Sequence, residues 1–91
     1  FPPRIKDDAL EGLGVCDDKA GVALMLLLLE ERKRSGKPLP ATFAFVVDEE
    51  REGTGSATLV REKLPPYAVV LEPTNLEIAV AEGGSVEFEI H

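Results

Sequence analysis

Residues 41–55 read ATFAFVVDEEREGTG, and the first seven of them decide the fold. They form a near-continuous apolar run rich in β-branched and aromatic side chains. A strand of that composition is buried on both faces, which is the condition of a parallel sheet. Asp48-Glu49-Glu50 follows the run directly. Gly53-Thr54-Gly55-Ser56 then leads into a helix expected over 56–63, with Leu59, Val60 and Leu64 at helical spacing and Pro65-Pro66 as the stop. The glycine-rich stretch lacks the Gly-Lys-Ser/Thr ending of a phosphate-cradling Walker loop, so it reads as a tight strand-to-helix turn. Residues 67–71 (YAVVL) are a second buried strand. Strand, helix, strand with short connections is the βαβ unit, whose crossover is right-handed.

Working outward, residues 20–36 (AGVALMLLLLEERKRSG) are expected as a helix that is apolar nearly all round in its first two turns and charged in its last. Its beginning is therefore expected to be buried. Asp17 or Asp18 supplies the N-terminal carboxylate, Arg32, Lys33 and Arg34 complement the C-terminal end, and Gly36 with Pro38 ends it. Residues 5–14 read as a short turn-rich opening, with Asp7-Asp8 at the turn and Leu10 and Leu13 as anchors. Residues 76–91 are different in kind. Val86, Phe88 and Ile90 alternate with polar neighbours after Gly83-Gly84, the pattern of an antiparallel hairpin with one wet face. The expected class is α/β: a three-layer βαβ unit with a mainly parallel sheet and a C-terminal antiparallel hairpin.

Size and charge bound the function. A 91-residue chain makes one domain at most, and it removes about 60 to 65% of its unfolded surface from water. Lys and Arg total 10 against 17 Asp and Glu, a formal net charge of -7, so the mean field repels phosphate backbones and nucleic acid is not an expected partner. The single cysteine, Cys16, cannot form an internal disulfide, which points to a reducing compartment, and negative neighbours disfavour its thiolate. The longest apolar run, 20–29, is about half the roughly 20 residues that span a bilayer. A cytoplasmic chain without a membrane partner is expected. It opens on Phe1-Pro2-Pro3 and stops at His91 within a strand pattern, so it reads as a piece cut from something longer.

The acidic residues fall at telling places. Asp17-Asp18 stand at the entrance of the first helix, Asp48-Glu49-Glu50 after the first buried strand, and Glu72 after the second. In a parallel α/β sheet the carboxyl ends of the strands share one edge, where ligands bind. Two like charges about 5 Å apart repel by roughly 3 kcal/mol at an effective dielectric of about 20. Gathered on one rim, the acids need protons or a cation among them, and the chain offers no matching basic cluster nearby except Lys19, which favours a metal ion. Each segment alone also has a bland reading, as a helix cap, a solvated loop or a turn. The residues by themselves leave a metal or polar-substrate site and the bland reading both open.

Three stretches in order, GLGVCDDKAGVA, FAFVVDEEREGTGSA and VVLEPTNLEIAVAEGGSVEFEI, resemble the catalytic domain of the acetylornithine deacetylase, succinyl-diaminopimelate desuccinylase, aminoacylase and glutamate carboxypeptidase family of dinuclear zinc metallopeptidases. The resemblance covers nearly the whole chain. It implies that Asp17 bridges two metal ions, that Glu49 is the general base, and that Glu50 and Glu72 are terminal ligands, one on each ion. It further implies two divalent ions, zinc first, with cobalt or manganese as alternatives. The substrate is then an N-acyl amino acid or short peptide, the reaction is hydrolysis of its amide bond by a metal-bridging water, and the full-length protein is a homodimer.

Residues 1–91 are, on this reading, part of the catalytic domain, with a lid and dimerisation domain and further catalytic segments absent. The family's two metal-binding histidines are expected outside the chain, which is itself expected to be inactive when isolated. His91 is read as structural or incidental. Asp18-Lys19-Ala20-Gly21 resembles the tripeptidase branch and Leu71-Glu72-Pro73-Thr74 the deacylases. Two readings from other classes stand beside this one: a magnesium-dependent phosphoryl-transfer or receiver-like domain, and a non-catalytic or inactive domain fragment serving a larger assembly.

Overall fold

The computed structural model describes residues 2–62, 64–81, 83–84 and 88. The chain opens with a hairpin. β1 (Arg4–Lys6) and β2 (Ala9–Glu11) pair antiparallel in the register Arg4 to Glu11, Ile5 to Leu10 and Lys6 to Ala9. Asp7 and Asp8 both take positive φ, 49° and 64°. Two consecutive left-handed residues make the tight turn whose twist matches a hairpin, and aspartate tolerates that region. Arg4 Nε meets Glu11 Oε2 at 2.6 Å across the pair, on an exposed surface where such a bond adds little. The turn at Asp7-Asp8 was expected; Leu10 and Leu13 are exposed rather than anchored.

A wide turn, Val15–Lys19, follows, and leads into α1 (Ala20–Ser35). The helix ends as its residues dictate. Gly36 takes φ 67°, a conformation that costs glycine nothing, and its N–H donates to Arg32 O at 3.0 Å. Arg34 reaches back one turn to Glu31 at 2.7 Å. α2 (Thr54–Leu59) begins two residues before the expected start at 56 and stops four short of 63. Its start is moved by Asp48, which bonds Thr54 as described below. Its end tightens into i to i+3 bonds, Arg61 N to Thr58 O at 3.2 Å and Glu62 N to Leu59 O at 3.0 Å.

Among the described residues the only sheet is the β1–β2 pair, and 41–47 and 67–71 carry no ladder pairing. The hairpin expected over 76–91 falls partly on Glu82, 85–87 and 89–91, which lie outside the described residues. Gly21 is the only buried residue of α1. The buried helix start expected from sequence is thus corrected, since Leu24 is 49% exposed and Leu27 61%; in the expected strand 67–71, Val69 is 88% exposed. The physical reason is that a helix apolar on all sides needs a sheet against it, and doubly buried strands need layers on both faces. A radius of gyration of 16.4 Å, against about 12 Å for a compact domain of this length, expresses the same openness.

Candidate metal centre

The turn before α1 separates the two adjacent aspartates. Asp17 lies at φ -117° and ψ 102°, outside helical space, and the Asp17-Asp18 peptide is cis. The Asp18 side chain is half-buried, and its Oδ1 accepts from Gly21 N at 3.1 Å, satisfying one of the orphan donors at the helix N-terminus. Gly21 is needed there because a Cβ would fall 2.8 Å from Asp18 Cγ and closer still to Oδ1. Lys19 closes the turn from behind: its N–H donates to Gly14 O at 2.9 Å and its Nζ to Leu13 O. Asp17 itself is exposed, and its side chain makes no hydrogen bond among the described residues. Of the pair, Asp18 is the cap and Asp17 is the carboxylate left available.

The second acidic segment repeats this division. Asp48, half-buried at φ 65°, accepts through Oδ2 from Thr54 Oγ1 at 2.8 Å and from Thr54 N at 3.4 Å. Its carbonyl accepts from Gly53 N at 2.7 Å. Residues 49–52 form the turn between these two points, and Glu49 and Glu50 are exposed on it. Gly55 then passes so close to Val47 that a Cβ would lie 2.6 Å from its backbone nitrogen.

Glu72 is exposed and stands at the start of a third braced turn. Thr74 N donates to Glu72 O at 2.8 Å, Glu77 N to Thr74 O at 3.1 Å, and Thr74 Oγ1 to Glu77 O at 2.6 Å. Asn75 and Leu76 both take positive φ within it.

Asp17, Glu50 and Glu72 are exposed residues that carry carboxylates, the donors hard divalent cations favour and zinc also accepts. They do not converge: among the described residues no group of three or more His, Cys, Asp or Glu is placed to hold a metal ion. The donor chemistry fits, and the assembled geometry is not present among the described residues. His91 lies outside the described residues. A surface concavity lies toward the C-terminal end of α1, lined by Leu29, Arg32, Lys33, Gly36 and Lys37, and Asp17 is not among its lining residues. Sequence reasoning missed Thr54 and Thr74 as partners of the acidic turns. An Asp-to-Thr spacing of six residues across a turn and into a helix was the available signal at Asp48.

A sequence profile described as peptidase family M20/M25/M40 matches residues 1–91. The chain belongs to this family of peptidases, which bears out the resemblance read from the three acidic stretches. It is 37% identical over 78 residues to carboxypeptidase G2 of a Pseudomonas species, covering 81% of this chain and 19% of that protein. It is 35% identical over 82 residues to succinyl-diaminopimelate desuccinylase 2 of Shewanella loihica, covering 81% and 22%. A probable carboxypeptidase of Ajellomyces dermatitidis shares 32% over 87 residues, covering 89% and 20%. The chain spans about a fifth of the length of these curated relatives. No solved structure matches it. No helix among the described residues is long and apolar enough to cross a membrane.

Proposed function

We propose that this chain is part of the catalytic domain of a metal-dependent amide hydrolase that acts on N-acyl amino acids or short peptides. The observation that carries the reading is the family match over all 91 residues. It is supported by relatives whose names include a carboxypeptidase and a desuccinylase, both of which denote cleavage of an amide bond. In this reading Asp17, Glu50 and Glu72 hold two divalent ions, zinc foremost with cobalt or manganese as alternatives, and Asp17 is shared between them. Bound ions of this kind polarise a carbonyl and make water acidic enough to deprotonate near neutral pH. Glu49 is the general base. It takes the proton of the attacking water and delivers it to the leaving amine.

The division of labour within each acidic turn supports these roles. Asp18 and Asp48 are tied to backbone and hydroxyl donors, whereas Asp17, Glu49 and Glu50 are exposed and their side chains make no hydrogen bond among the described residues. The three-layer α/β arrangement belongs to the same proposal, with 41–47 and 67–71 as neighbouring parallel strands that bring Glu49, Glu50 and Glu72 to one edge. So do a lid and dimerisation domain elsewhere in the protein, a homodimeric state and a cytoplasmic location. The test is turnover of N-acetyl amino acids and dipeptides by the encoded protein and its Glu49→Gln variant. Metal-dependent hydrolysis that falls about 10²- to 10⁴-fold in the variant supports the reading; turnover unchanged in Glu49→Gln overturns it.

A further inference from the structure

We propose that Thr54 is a positioning residue for the Glu49–Glu50 pair, acting through Asp48. The inference rests on the roles assigned above to those two glutamates. Among the described residues neither glutamate side chain makes a hydrogen bond, so their placement depends on the turn that carries them. That turn is closed at its base from both sides. Asp48 contributes its carbonyl to Gly53 N at 2.7 Å and its carboxylate to Thr54 Oγ1 at 2.8 Å. The hydroxyl bond is the short side-chain closure; the second contact to the same carboxylate, from Thr54 N, is 3.4 Å long. A hydroxyl donating to an ionised carboxylate makes a charge-assisted bond, roughly twice as strong as a neutral one.

The clamp also has a fixed footing. Gly55, next in sequence, lies against the Val47 backbone without room for a Cβ, so Thr54 is seated against the chain that enters the turn. The five residues 49–53 thus span a base whose two ends, Asp48 and Thr54, are bonded to each other, with Gly55 set close against Val47 beside them. A base and a ligand on such a turn keep a set spacing and direction. Released, they sample positions away from the reacting atoms, and displacement of a catalytic group by about 1 Å can cost on the order of 10²-fold in rate. Thr54 touches neither substrate nor metal in this scheme.

The test uses the encoded, metal-loaded protein with Thr54→Val, Thr54→Ser and Glu49→Gln assayed side by side. Thr54→Val, which keeps the shape and removes the hydroxyl, is expected to lower kcat by about 10- to 10²-fold with KM within about twofold. Thr54→Ser, which restores the hydroxyl, is expected to recover kcat to within about threefold of the parent. Where Thr54→Val does not fold, Asp48→Ala opens the same clamp from its other side and is expected to give the same kcat loss. Parent-like kcat in Thr54→Val while Glu49→Gln is dead overturns the positioning role and leaves the hydrolase reading standing. Equal losses in Thr54→Val and Thr54→Ser also overturn it, because the hydroxyl then does not matter. Full turnover in Glu49→Gln removes the hydrolase reading, and this inference with it.

Discussion

Asp18 Oδ1 accepts the backbone N–H of Gly21 at 3.1 Å, and this one bond decides which of two neighbouring aspartates is available for chemistry. Asp18 serves the helix and Asp17 does not. In the encoded protein, without metal, Asp18→Ala is expected to cost about 1 kcal/mol of stability, the usual loss for an N-terminal cap. Asp17→Ala in the same state is expected to stay within about 0.5 kcal/mol, as for an exposed side chain with no partner. Thermal unfolding in chelator checks both, and a larger loss at Asp17 than at Asp18 would reverse the assignment.

Gly21→Ala sets two effects against each other. Alanine gains about 1 kcal/mol of helix propensity over glycine, and its Cβ displaces the Asp18 carboxylate, forfeiting a cap of similar size. The melting temperature is therefore expected to change little, while the turn carrying Asp17 shifts and metal affinity falls. Isothermal titration with zinc on the variant checks this, with the parent as reference.

Gly55→Ala meets backbone rather than a movable side chain. Its Cβ would press on the Val47 nitrogen and oxygen, so α2 must lift away from residues 46–47. Overpacking of this sort costs about 1–3 kcal/mol. The expected outcome is a lowered melting temperature together with lowered kcat, since the Asp48–Thr54 clamp moves with α2. A parent-like melting temperature would mean that the contact relaxes freely.

Metal removal offers a separate handle on stability. An ion that binds only the native state adds about 2.7 kcal/mol when free metal is 100 times its dissociation constant. Chelator is thus expected to lower the melting temperature of the encoded protein, and to lower it far less in Glu50→Gln if Glu50 is one of the proposed ligands. Equal chelator sensitivity in parent and Glu50→Gln would remove Glu50 from the ligand set.

Local structure was legible in the sequence where it is set by neighbours in the chain. The Asp7-Asp8 turn, the Gly36 stop of α1 and the acidic cap before it all follow from short-range backbone preferences, and all are present. What sequence could not place is what depends on distant segments. Residues 41–47 read as a doubly buried strand, and such a strand exists only with partners on both edges and layers on both faces. The choice between Asp17 and Asp18 as cap is equally open in the sequence, since both are aspartates at the entrance of the helix. The start of α2 at Thr54 is not legible in the sequence, because it depends on the bond between Thr54 and Asp48, six residues before it.

The central claim is that Asp17, Glu50 and Glu72 are metal ligands while Glu49 is a base, and metal stoichiometry tests it most directly. We would measure ions bound per chain by elemental analysis of the encoded protein, of Asp17→Asn and of Glu49→Gln. The account predicts two ions in the parent, two in an inactive Glu49→Gln, and fewer than one in Asp17→Asn, since the shared ligand serves both sites. Two ions retained by Asp17→Asn would contradict it.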